Sequence, residues 1–434
     1  MKIQDGGARS EERGETITLR IAFASFIGTA IEFYDFYIYG LAVAMVIGPV
    51  FFPDSSQAAQ SLNAFLTFGI AFLARPIGAL LFGHFGDRIG RKTTLVASLL
   101  LMGTSTVLIG VLPGYHTIGW TAPLLLCLLR FGQGIGLGGE WGGAALLASE
   151  YAPKQRRGWY GMFPQLGPPI GFLLAVGSFL LLSQLLDEAQ FRAWGWRIPF
   201  LASSLLVIIG LYVRLKLEET PLFAKAQAMH QPAKLPLLVL FRHHVKPVLL
   251  GALAMVVCYA LFYISTVFAL SYGVATLHIP RPQFLMMLCM AVIFMAAATP
   301  LSAWAADRYG RRPVLIASGS AAFLTGFLLG PMLSSNSIFE TTLFLCLELF
   351  LMGATFAPMG ALLPELFPTA VRYTGAGAAY NLGGILGASL APYLAQQLVL
   401  LGGLPWVGGY ISVAAAISVT AVIFIRETRD AELT

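Results

Sequence analysis

GHFGDRIGRK, Gly83 to Lys92, decides how this chain is read. Three bases and one acid (Asp87, Arg88, Arg91, Lys92) sit between two long apolar runs. ALLF closes the run before them, and TTLVASLLLMGTSTVLIGVL follows. A second version, AWAADRYGRR, Ala303 to Arg312, again separates two apolar runs. A charge cluster with glycines makes a tight, solvated turn between antiparallel helices. Its aspartate can accept hydrogen bonds from free helix-end N–H groups, and its bases sit in water or among lipid headgroups. One copy would be no more than a polar turn, but two copies mark an architecture.

The composition names the solvent. Of the 434 residues 57% are hydrophobic and 11% charged, with mean hydropathy +0.76. A soluble domain has about a quarter of its residues charged, so the apolar runs here must face lipid. The net charge of +6 does not indicate nucleic acid, because the bases lie at the edges of apolar runs. Cys127, Cys258, Cys289 and Cys346 all lie within such runs and form no CxxC pair. Neither a metal site nor a disulfide framework is expected.

A membrane-crossing helix needs about 20 mainly apolar residues, and about twelve such runs can be counted. Six precede residue 217 and six follow residue 246. The expected organisation is a tail over 1–19, a six-helix half over 20–216, a linker over 217–246, a second half over 247–426 and a tail over 427–434. The linker is basic and contains prolines, and a helix lying at the membrane interface is expected within it. Lysine and arginine orient the chain. With the N-terminus inside, only Arg192, Arg197 and Arg281 of the 27 basic residues fall on the opposite side, and Arg75 and Arg130 fall inside spans. Both termini are therefore expected to be cytoplasmic.

The halves repeat beyond their loops. Glu150-Tyr-Ala-Pro153 followed by Arg157 recurs as Glu365-Leu-Phe-Pro368 followed by Arg372. Two parallel six-helix units are the sequence sign of a two-half transporter. Lying at the inner face, Gly83, Asp87, Arg88, Gly90, Arg91, Asp307, Arg308, Gly310 and Arg311 are candidates for the conformational gate. The turn residues Glu150, Arg157, Glu365 and Arg372 join them.

GHFGDRIGRK resembles the signature loop between helices 2 and 3 of the major facilitator superfamily, with Gly86 where a small Ala or Ser, or Pro, is commoner. RFGQGIG, Arg130 to Gly136, resembles its helix-4 motif, which implies a proton-linked arginine. IEFYDFYIYG, ARPIGALLFGHFGDR, GEWGGAALLASEYAP, WGWRIPFL and PMGALLPELFPTAVRYTGAG together resemble the metabolite:proton symporter family. The resemblance runs from about Ala24 to Thr428. It implies an all-α, twelve-helix fold with two halves around a central cavity, in a bacterial inner membrane. It also implies uptake of a small metabolite, with the proton as coupling ion and no other cofactor.

Ionised groups at mid-membrane cost about 2.5–3.5 kcal/mol and need a partner or a wet cavity. At about 1.5 Å per residue, Glu32 lies about 18 Å from Arg20, Asp35 about 22 Å, and Arg75 about 18 Å from Asp87. Those depths allow a Glu32–Arg75 pair. Glu32 and Asp35 share a helix face and are the candidates for the coupled proton, together with Arg130. Arg75, Arg130, Gln133, Glu140, Tyr34 and Asn381 are the candidates for substrate contact, and two arginines favour a carboxylate. Glu348 has no named partner. Structural alternatives stand beside each: fixed pairs bracing the bundle, and for Gln133 a helix–helix hydrogen bond. The glycines of Gly132 to Gly143 form small faces for close helix packing rather than a nucleotide loop. Gly167-Pro-Pro-Ile-Gly171 partly resembles an antiporter motif, so an exporter or antiporter is the second reading; a zwitterion such as betaine is a further substrate class. No converging nucleophile or metal set suggests an enzyme.

Overall fold

A computed structural model of the chain describes residues 23, 25–89, 91–139, 152–216, 240, 242–334, 337–368 and 371–431. Gly83, Asp87, Arg88, Gly90, Arg91, Glu140, Glu150 and most of the linker fall outside what it describes at side-chain level, and nothing further is said of them. The described residues form helices and contain no strand. We label the long helices in chain order. The first half has α1 (Ser25–Phe51), α2 (Gln57–Ile89), α3 (Arg91–Val111), α4 (Thr121–Gly138), α5 (Arg157–Leu185) and α6 (Ile198–Lys216). The second has α7 (Val245–Ala275), α8 (Arg281–Tyr309), α9 (Arg311–Ser334), α10 (Ile338–Glu365), α11 (Arg372–Gly402) and α12 (Leu404–Phe424). Eleven described helices are long and apolar enough to cross a membrane, and α3 contains a shorter apolar stretch, Val96–Val111.

Each helix divides its apolar residues between lipid and protein. On α2, Leu66, Leu73 and Leu80 are exposed, while Phe65, Phe68, Phe72 and Arg75 are buried. Exposure of large aliphatics on one side is what a lipid-facing surface requires. The glycine run on α4 has the two faces its spacing predicts. A Cβ on Gly134 or Gly138 would overlap the carbonyl oxygens of Ala71 and Arg75 on α2. A Cβ on Gly136 would press on Met102 and on the Ser98 carbonyl of α3. With no hydrophobic drive between helices in lipid, this close approach supplies dispersion contact instead.

The helix ends explain the Asp-Arg-x-Gly motif. Gly310 closes α8 at φ 107°, a conformation side chains rarely adopt, so glycine is required there. The free N–H groups that open α9, on Arg311 and Arg312, donate to Glu427 of the C-terminal tail at 2.9 and 3.0 Å. The α5 helix runs unbroken through Pro164, Pro168 and Pro169. Single π turns lie at Val43–Ile47 in α1, Ile264–Phe268 in α7 and Ile385–Ser389 in α11, and a turn at residues 357–358 interrupts α10.

The halves meet along α5 against α8 and along α2 against α11. On the face carrying the Asp307 loop (the basic face), Asp307 accepts the backbone N–H groups of Gly158 and Trp159 at the start of α5, both at 2.8 Å. Arg311 holds that carboxylate at 2.9 Å and reaches Glu365 at 3.3 Å. Arg157 donates to the Ala431 carbonyl at 2.9 Å, tying the first half to the tail of the second. On the far face Arg281 of α8 pairs with Glu188, in the short helix Glu188–Ala193 between α5 and α6, and stacks on Phe191 at 3.9 Å. Among the described residues, the halves therefore touch at both faces.

Candidate functional site

Between the halves lies a cavity of about 10 Å³, lined by Thr29, Glu32, Phe33, Arg75, Leu137, Tyr380 and Asn381. That is room for about one water molecule. With so small a volume, the binding space must widen to admit a solute.

Arg75 dominates this site. It is 1% exposed, yet its Nε and Nη2 have no hydrogen-bond partner, and among the described residues no carboxylate pairs with it. Its guanidinium lies 4.4 Å from the centre of the Phe36 ring and 4.3 Å from that of Phe72. Cation–π contact of this kind contributes about 2 kcal/mol when desolvated and fixes the plane of the group. It does not satisfy N–H donors. Nε and Nη2 form one edge of the guanidinium, the fork that accepts a carboxylate through two parallel hydrogen bonds. Glu32 lines the same cavity, but the Glu32–Arg75 ion pair that helix depth allowed is not formed.

Arg130 differs. It donates from Nη1 to Gln133 Oε1 at 2.6 Å and from Nη2 to the Phe68 carbonyl at 3.2 Å, and it stacks on Tyr39 at 3.8 Å. Gln133 in turn donates to Thr106 on α3 at 2.7 Å. The pair is thus a bonded link among α2, α3 and α4, with Tyr39 of α1 over it, and neither residue borders the cavity. Two other candidates lie apart from the cavity lining. Tyr34 turns away from the cavity and donates to the Pro199 carbonyl of α6 at 3.2 Å. Asp35 does not share the surroundings of Glu32; it is fully buried and faces Ser203 on α6, and both its oxygens lack a hydrogen-bond partner. Three positions along a helix leave a net rotation of about 60° between side chains, enough here to separate a cavity-lining group from one facing a neighbouring helix.

The second half brings Asn381 and Tyr380 of α11. Asn381 Nδ2 donates to the Gly138 carbonyl across the halves at 3.4 Å, which leaves its oxygen as an acceptor. Tyr259 and Tyr263 of α7 stack behind them, and Tyr259 donates to the Tyr380 carbonyl at 3.4 Å. The sequence reading missed Tyr380, Thr29, Phe33 and Leu137. The signal for Tyr380 was its place beside Asn381; for the Phe72 ring under Arg75 it was the three-residue helical spacing.

Residues 21–238 match the sugar (and other) transporter family, and residues 262–434 match the major facilitator superfamily. The inner membrane metabolite transport protein YhjE of Escherichia coli is 53% identical over 95% of each chain. The shikimate transporter of the same organism is 38% identical, again over 95% of each. This chain belongs to the major facilitator superfamily. The fold agrees: the xylose transporter XylE of E. coli, in a partially occluded inward-open conformation, superposes with a TM-score of 0.76. It covers 96% of this chain and 99% of its own, at 18% identity. As a major facilitator protein the chain is a transporter and not an enzyme, and it spans the membrane many times.

Proposed function

We propose that the protein imports a small organic acid together with a proton, by alternating access across a bacterial inner membrane. The observation that carries this is the open Nε/Nη2 fork of Arg75 in the cavity between the halves. An unpaired buried cation costs several kcal/mol, and an anionic solute removes that cost on binding. Glu32 beside it supplies a carboxyl that takes a proton as the anion arrives, and Asp35 lies one turn further along α1. The name of the shikimate transporter supports a carboxylate substrate, since shikimate is one. The uneven spread of lysine and arginine supports a cytoplasmic basic face and cytoplasmic termini.

The test is uptake by the purified chain in proteoliposomes. Labelled shikimate and other small acids are offered with an inward proton gradient. Accumulation that a protonophore abolishes supports symport of an anion. Efflux driven by the same gradient identifies an antiporter, and accumulation of betaine but of no acid moves the substrate to the zwitterions.

A further inference from the structure

Glu348, midway along α10, is fully buried, and neither carboxyl oxygen has a hydrogen-bond partner. The helices α7, α8 and α9 pack around this one. Among the described residues no charged group faces it; the group that does is the hydroxyl of Thr325 on α9. Thr325 has already committed its one proton, donating to the Ala322 carbonyl at 3.0 Å. It is therefore no donor to Glu348, whose oxygens have no hydrogen-bond partner.

The repeat supplies a mate for Glu348, though not for Thr325, since the same shift carries Thr106 onto Ala321. The shift that carries Glu150 onto Glu365 carries Gln133 onto Glu348 (365 − 150 = 348 − 133 = 215). In the first half Gln133 Nε2 donates to Thr106 Oγ1 at 2.7 Å, and that hydroxyl donates to the Met102 carbonyl at 2.9 Å. The order of donors is side chain to threonine to backbone. At Glu348 no such chain is formed, and a buried carboxylate with no donor costs far more than a neutral carboxyl.

We propose that Glu348 is a proton-binding site in the second half whose proton is resident: bound throughout, and not the one transported. That it stays bound during transport rests on the transporter reading; that it is bound does not. The helices α9 and α10 belong to one half, and alternating access moves the halves as bodies, so this pocket does not change its surroundings. Asp35 offers the contrast. The Ser203 hydroxyl facing it has no acceptor of its own, so it can donate to a carboxylate or accept from a carboxyl. Both protonation states are served at Asp35 and one at Glu348.

Infrared difference spectroscopy of the full chain in lipid nanodiscs tests this without any substrate, so failure here leaves the proposed function untouched, and the reverse holds. Wild type minus Glu348→Gln should show the carbonyl stretch of a protonated carboxyl, unchanged between about pH 5 and 8. Absence of that band, or its loss as pH rises, overturns the proposal. Should Glu348→Gln fail to fold, Thr325→Val replaces it: the hydroxyl facing the carboxyl goes, the carboxyl stays, and the band should shift. No shifted band there also overturns it. In the uptake assay, Glu348→Gln should keep proton-driven accumulation; exchange without accumulation would make Glu348 the coupling site instead.

Discussion

Arg75 and Arg130 are both buried arginines on adjacent helices, and their roles separate on their hydrogen bonds. Arg130 spends two of its nitrogens on Gln133 and Phe68, so it braces the bundle. Arg75 lies against two mutually perpendicular rings with one edge unspent. Replacing Arg75 with Lys keeps the charge and removes the fork. A charged hydrogen bond contributes about 1.5–3 kcal/mol, so the loss is about ten- to a hundredfold in apparent affinity for the transported acid. Concentration dependence of uptake measures it, and an unchanged half-saturation would remove Arg75 from the site. The two α1 carboxyls give a second prediction at this scale. Glu32→Gln or Asp35→Asn mimics the protonated form. At least one should retain exchange of substrate across the membrane while losing accumulation and its dependence on outside pH. If both variants still concentrate substrate as wild type does, neither carries the coupled proton.

At the scale of helices, α4 shows how much spacing alone can specify. Gly134 and Gly138 meet α2, and Gly132 and Gly136 meet α3, as a four-residue period requires. Gly134→Ala should therefore overpack against the Ala71 carbonyl and cost about 1–3 kcal/mol. Gly177→Ala on α5, where nothing lies within 4 Å, should be neutral. Thermal unfolding in detergent distinguishes them, and equal melting temperatures would deny the close contact. The spans, the repeat and these faces were legible because each depends on residues close in sequence. The cavity was legible in part. The depth of Glu32 and Arg75 follows from counting along a helix, but azimuth decides what a side chain meets. Counting put Tyr34 and Asp35 with Glu32, and packing turned both towards α6. Tyr380 lies about 300 residues from Arg75 in the chain, so only the arrangement of α2 against α11 brings them together. The π turns in α1, α7 and α11 have no signal in composition.

For the whole molecule, contact between the halves at both faces is the property to explain. Asp307 neutralises the N-terminal end of α5, where two free N–H groups and the positive pole of the helix favour an anion. That contact exists only while the halves touch at the basic face. At the far face, Arg281 joins Glu188 and Phe191 across the same division. Each contact stabilises one closed end, so the balance between outward and inward forms is set by their difference. Weakening one should move the population towards opening at its own end, by about tenfold for each 1.4 kcal/mol lost. Glu188→Gln keeps the shape of the side chain and removes its charge. It should open the far face, while Asp307→Asn should open the basic face. Spin labels placed as one pair across each face, on the α5–α6 and α7–α8 connections at one end and on the starts of α5 and α9 at the other, read the two distances. Glu188→Gln should lengthen the first distance without the second, and Asp307→Asn the second without the first. Both substitutions should slow net transport, since a carrier held open at one end returns less often, yet leave the affinity of the form that remains close to its wild-type value. Distances unmoved by either change, or moved at the wrong face, would show that these ion pairs decorate the interface and that helix packing alone holds the ends shut.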